Sequence, residues 1–265
     1  MDAGGLKGLY QIRIITGIEE KYKYCFNNSF DIYSGTSIGG VIAIFLACKI
    51  PIQELINEFY KSKSNSNNSY GIFKHFFDWI TSRLNNRFFG EISTRVILPV
   101  YNFTTKELSH FGINSPTNCD EILISDIIKA ICTDFRITKP HNIIKLNNEF
   151  IDAGFCAYDP TIYIMRNQWD VNSKILLLSI GSGYIKNITN ELNRDDFFDL
   201  MYDTIIFDQF STNNFIANII DTNSLFYYRI SEPPNFKDSI SLEEIFKLAT
   251  ERVAKLDFTK LDYFF

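Results

Sequence analysis

Gly35-Thr36-Ser37-Ile38-Gly39 stands between Phe30-Asp31-Ile32-Tyr33, a short β-leaning run, and Gly40 to Cys48, an apolar stretch that reads as a buried helix. A G-x-S-x-G set on a strand–turn–helix boundary has a mechanical meaning. Gly35 and Gly39 leave room for a turn too tight for side chains, and the turn lifts the Ser37 hydroxyl to a helix N-terminus. There the aligned peptide dipoles favour developing negative charge. Ser37 is therefore the candidate nucleophile, and a strand feeding a helix through such a turn predicts an α/β fold.

A serine hydroxyl needs a base. The chain has three histidines, His75, His110 and His141, and none follows His141. The common order of serine, acid, then a late histidine is therefore not met. A carboxylate can serve instead. Asp152 lies in Glu149-Phe150-Ile151-Asp152-Ala153-Gly154, at the end of an apolar run and before a turn of small residues. Open α/β sheets place their sites just past strand ends. A histidine-dependent esterase remains the competing reading, and it requires one of the early histidines to reach Ser37.

Asp2-Ala3-Gly4-Gly5-Leu6-Lys7-Gly8, Ser37 in Gly-Thr-Ser-Ile-Gly-Gly, and Asp152 in Asp-Ala-Gly resemble, in that order, the three signatures of the patatin-like phospholipases. Leu176 to Gly183, Ala157-Tyr158-Asp159-Pro160-Thr161 and Phe226-Tyr227-Tyr228-Arg229-Ile230 resemble further stretches of that family, so the similarity spans nearly the whole chain. The resemblance implies a three-layer α/β/α domain with a mainly parallel central sheet. It implies a lipid acyl hydrolase of phospholipase A or lysophospholipase type. Its site would be a Ser37–Asp152 dyad, with Ser37 as nucleophile and Asp152 as general base. Gly4 and Gly5 would form the oxyanion hole, supported by Gly35, Gly39, Lys7 and Gly154. No metal or other cofactor is implied. The expected partner is a phospholipid or another acyl-ester lipid.

The departures from the pattern are specific. Ala3 and Ala153 stand for glycines, Lys7 stands for an arginine, and Lys129 to Arg136 replaces a run of small residues. Lysine keeps the charge but loses the planar fork. Met1 abuts the glycine loop directly, so the sheet is expected to lack the family's first strand and the loop to be held loosely. That gives a weakened hydrolase, or, as the alternative, a catalytically impaired relative that binds lipid or a partner without turnover. The glycine loop fits neither a phosphate-binding loop, since Gly8 follows Lys7 where Ser or Thr is needed, nor a dinucleotide fingerprint.

Length and composition set the frame. The 265 residues are expected to form one domain, 1–265, with 46% hydrophobic and 22% charged residues. A net charge of −5 argues against nucleic acid as a partner. Five scattered cysteines without C-x-x-C spacing fit a reduced compartment and no zinc site. No apolar leader opens the chain, and Val41 to Cys48 is far short of the roughly 20 residues of a membrane span. A cytoplasmic location with peripheral membrane contact is the expectation.

Along the chain, helices are expected over Leu6 to about Lys21, after Pro51, and around Phe73 to Leu84. Strands are expected over Val96 to Phe103, Ile143 to Asp152 (in two pieces joined at Asn147-Asn148) and Lys174 to Ile180. Lys61 to Tyr70 reads as a Ser/Asn-rich loop. Ser241 with Glu244 forms a capping box, and Ile240 with Ile245 a hydrophobic staple. The aromatic segment Phe73–Trp79 is expected to pack on the core as an amphipathic helix, with an interfacial lid as the competing reading.

Overall fold

The computed structural model describes residues 1–66, 68–136, 138–168, 174–182, 209, 212, 225–230 and 241–265. Ile240 and Gly183 lie outside the described residues, and with them the staple and the last glycine of the Leu176–Gly183 run. Helices cover both sides of a mixed sheet, so the α/β class is as expected while the described pairings are mixed rather than mainly parallel.

Seven strands form two sheets among the described residues: β1 (Ile32–Ser34), β2 (Arg95–Asn102), β3 (Glu107–Gly112), β4 (His141–Ile143), β5 (Asn148–Asp152), β6 (Ile175–Ile180) and β7 (Leu225–Ile230). Parallel pairing joins β1 to β2 and β6 to β7, while β2–β3, β2–β5 and β4–β5 are antiparallel. The register explains how distant motifs meet. Ile97 of β2 pairs with Ser34 on one side and Gly112 on the other, and Val100 pairs with Asp152 and Ser109. β1 and β5 therefore share one edge of β2 and run toward each other. Their C-terminal ends stop three positions apart, on either side of Leu98 and Pro99. Proline lacks the N–H that a ladder needs, and at this gap neither strand asks for it.

α1 (Gly8–Tyr22) buries Leu9, Ile12, Ile15 and Ile18 and packs on the C-terminal helix. α2 (Ile38–Ala47) is buried at every residue, as its unbroken apolar sequence requires. α3 (Gln53–Ser64) and α4 (Ser69–Arg83) pack together through Phe59 and Phe76, whose ring centroids are 3.8 Å apart. α3 runs through the first half of the expected loop, and α4 starts from Asn68, whose side chain accepts from Gly71 N. Helical propagation thus leaves only a short connection, because Leu55, Phe59 and Ser62 hold α3 on the core to its last turn. Phe76 is fully buried, which settles α4 as a core helix.

α5 (Ile124–Cys132) stops before Asp134 and Arg136, which pair with each other at 2.7 Å. α6 (Gly154–Ala157) and α7 (Thr161–Gln168) follow the Asp152 motif. α8 (Leu242–Ala254) starts as expected, with Ser241 Oγ accepting from Glu244 N, and α9 (Phe258–Leu261) closes the chain. β3 was not foreseen. It is a short, half-polar partner of β2, and Asn102 turns the chain into it by accepting from the Thr104 and Thr105 N–H groups.

Residues 1–3 stand between the two sheets. Met1 N donates to Ser34 O and Thr36 N donates to Met1 O, while Asp2 N donates to Ile180 O. A cavity of about 430 Å³ opens between β1 and β6, lined by Phe30, Ile32, Ile164, Met165 and Leu178. Ser37 and Asp152 do not line it.

Candidate active site

Ser37 occupies the N-cap position of α2 with φ 55 and ψ −123, while Gly40 N and Val41 N both donate to its carbonyl. A serine at positive φ costs of order 1–3 kcal/mol, so the surrounding packing must hold it there. Close approach accounts for both motif glycines. A Cβ on Gly35 would lie 2.1 Å from the Gly39 carbonyl, and one on Gly39 would lie 2.5 Å from the carbonyl oxygens of Met1 and Asp2. The elbow is therefore wedged against the start of the glycine loop. Thr36 ties it to the segment after Asp152, donating its hydroxyl to Ala157 O at 2.5 Å.

Asp152 ends β5, with its N–H donating to Thr133 O at the end of α5. Its Oδ1 accepts from Gly154 N at 2.7 Å, which gives Gly154 its place in the motif. The Ser37 side chain favours the charged form of the same carboxyl, and the strand ends that carry the two residues meet across the β1–β5 gap. Burial pushes the Asp152 carboxyl up to about 7, against Ser37 and the Gly154 N–H, which favour its charged form. Two thiols lie beside it. Cys132, the last residue of α5, is near enough to Ser37 and Asp152 to feel both, and burial holds both it and Cys156 far above the ordinary thiol range.

The glycine loop flanks this pair. Gly4 has φ 148 and Gly5 φ 54, conformations that glycine adopts without strain. Lys7 N donates to Gly4 O and closes a single turn ahead of α1. Among the described residues the N–H groups of Gly4 and Gly5 carry no hydrogen bond. Ala3 is buried, and its N–H donates to Tyr158 O.

Two histidines are engaged elsewhere and the third is exposed. His110 meets Tyr163 Oη and Ile113 O, both at 2.9 Å; His141 lies 3.4 Å from Asp126; His75 is exposed on α4. Sequence reasoning missed a buried charge cluster behind the loop. Arg229 on β7 bonds both oxygens of Asp2 at 3.2 and 2.6 Å and lies 2.9 Å from Asp159. The signal was an arginine inside the apolar strand Leu225–Ile230. Among the described residues, no group of three or more His, Cys, Asp or Glu side chains could hold a metal ion. No helix among them is long and apolar enough to cross a membrane.

The family model of patatin-like phospholipases matches residues 1–246. Over 216 residues the chain is 24% identical to a cGAMP-activated phospholipase of Escherichia coli (strain TW11681), which covers 69% of this chain and 60% of that protein. It is 28% identical over 119 residues to a cGAMP-activated phospholipase of Pseudomonas aeruginosa, covering 40% of this chain and 36% of that protein. The chain thus spans at most 60% of these relatives. The crystal structure of VipD from Legionella pneumophila superposes with a TM-score of 0.51 at 13% identity, over 99% of this chain and 66% of that one.

Proposed function

The chain belongs to the patatin-like phospholipase family, and from that premise we propose that it is a lipid acyl hydrolase working through a Ser37–Asp152 dyad. The observation that carries the proposal is the juxtaposition of a strained elbow serine with an enclosed carboxyl, which burial raises to about 7 and whose charged form that serine favours. A carboxylate so placed is a stronger base than one in water and still ionises near neutral pH.

In the proposed reaction Asp152 takes the hydroxyl proton as Ser37 Oγ attacks the ester carbonyl. The tetrahedral oxyanion is met by the N–H groups of Gly4 and Gly5 at the head of the chain. On collapse the C–O bond to the leaving alcohol breaks, and Asp152 returns the proton to that oxygen. Water then attacks the acyl-serine, giving one proton to Asp152, which passes it to Ser37 as the fatty acid departs. The substrate class is a phospholipid or lysophospholipid ester, met at a membrane surface by peripheral contact.

The test is labelling with a fluorophosphonate followed by peptide mass spectrometry, alongside hydrolysis of a short ester. Adduct on Ser37, absent in Ser37→Ala and strongly reduced in Asp152→Asn, is the expected result. A protein that neither reacts nor hydrolyses refutes the reading. One observation favours the second reading, lipid binding without turnover: a buried Cys132 thiol stands beside Ser37 and Asp152 where the pattern of the family has small residues. That reading predicts vesicle binding by a protein silent to the probe.

A further inference from the structure

We propose that Arg229 is a positioning residue for the glycine loop, setting the aim of the Gly4 and Gly5 donors through its grip on Asp2. This rests on the reading of those two N–H groups as the oxyanion hole. Asp2 and Asp159 are closed to water, and Arg229 is nearly so. The guanidinium forks onto both Asp2 oxygens, reaches Asp159 on the segment following the Asp152 motif, and donates to Ser179 Oγ on β6 at 2.5 Å. One side chain therefore joins the loop before the donors, the segment after the base, and the small sheet.

Glycines cannot hold such donors by themselves. With φ 148 and φ 54 and no side chains, Gly4 and Gly5 depend on anchors from outside. The anchors act on the two residues just before them. Gln11 Nε2 donates to Asp2 O at 3.0 Å, Tyr158 O accepts from Ala3 N at 2.9 Å, and Ser182 Oγ donates to Ala3 O. Among these contacts Arg229 supplies the charged, two-pronged one, which fixes direction as well as distance. The two carboxylates share one guanidinium away from water, and the buried Met1 ammonium also acts on both of them. Such buried ionic groups are weak as stabilisers against apolar replacements of similar volume, while their geometry is strict. Displacing transition-state donors by about an ångström costs around a hundred-fold in rate.

The experiment compares the wild-type chain with Arg229→Lys and with the neutral combination Asp2→Asn, Asp159→Asn, Arg229→Met, which removes the three side-chain charges of the cluster together rather than stranding one of them. Kinetics on one short ester are read together with hydrogen exchange of a peptide covering residues 2–6. The neutral combination is expected to lower kcat by roughly 10- to 100-fold with KM within about two-fold, and to speed exchange in residues 2–6. Arg229→Lys, keeping charge but not the fork, should fall between the two. An unchanged kcat, or a loss carried by KM alone, overturns the inference while leaving the proposed hydrolase intact. If the wild-type chain itself proves no faster than Ser37→Ala, the functional reading fails, and exchange decides the rest. Faster exchange confined to residues 2–6 then supports the anchoring, and unchanged exchange overturns it.

Discussion

At Ser37 the backbone holds φ 55, and alanine tolerates that conformation no better than serine, so Ser37→Ala removes the hydroxyl without relieving strain. The variant should lose ester hydrolysis by at least about 1,000-fold and unfold within a few degrees of the wild type. The histidines should behave in the opposite way. His110→Gln disturbs a buried side chain bonded at both ring nitrogens and should cost about 1–3 kcal/mol of stability, yet leave kcat near normal. His75→Asn should change neither. Should any histidine variant prove as inactive as Ser37→Ala, the dyad is refuted. Asp152 gives a pH test with a definite sign. Its carboxyl titrates near 4 when unfolded and at about 7 in the fold, so ionising it costs folding free energy as pH rises between those values. Asp152→Asn removes that cost, and its thermal midpoint should exceed the wild type's at pH 8 by more than it does at pH 5. For the wild type, kcat/KM should rise through pH 7 to a plateau. A rate independent of pH between 5 and 8 would contradict a carboxylate base. Ser37 and Asp152 were legible in the sequence because each sits in a motif whose local geometry can be read from a few adjacent residues. The approach of Cys132 to Ser37 was not legible, because it depends on where α5 stops.

At the scale of elements, legibility followed length and periodicity. α2 and α8 were visible because one is apolar throughout and the other carries its own cap, Ser241 Oγ on Glu244 N at 3.1 Å. Ser241→Ala should therefore cost about 1 kcal/mol, measured by denaturant unfolding with the slope unchanged. β3 was invisible because a short strand of mixed polarity is defined by its partner rather than by its residues, and Asn102 directs it from the preceding strand. α4 was legible as a helix but open as to its surroundings. Phe76 stacked on Phe59, with Ile80 and Leu84 also buried, decides for the core. Phe76→Ala should cost about 3–5 kcal/mol. Activity per molecule should fall equally on phospholipid vesicles and on a short soluble ester, as the folded fraction falls. A loss confined to vesicles would return the helix to the membrane surface.

For the whole molecule, the sequence carried the fold class and the order of the motifs, while the means of joining the two sheets lay in contacts between residues far apart in the chain. Gln11, on α1, is fully buried and gives both amide hydrogens away, to Asp2 O at 3.0 Å and to Ile180 O at 3.1 Å. Nothing in Leu9-Tyr10-Gln11-Ile12 marks it as more than one polar residue on an apolar helix. Together with the Asp2 N–H on Ile180 O and the Arg229 fork on Asp2, it carries the hydrogen bonds that cross from the glycine loop to β6 and β7 among the described residues. Gln11→Ala removes two of these bonds, taking the donor from Asp2 O while Ile180 O keeps the Asp2 N–H, at a cost of about 1–3 kcal/mol. The loss should not spread evenly. The β2–β3 and β2–β5 ladders do not involve Gln11, so hydrogen exchange should quicken in residues 175–180 and 225–230 well before it does in residues 95–102. Because the glycine loop shares Asp2 O with this junction, kcat on a short ester should fall in the same variant while Ser37 still accepts the fluorophosphonate, more slowly. Uniform acceleration of exchange across both sheets would mean that they unfold as one unit and that the junction at Gln11 is not what couples the small sheet to the site.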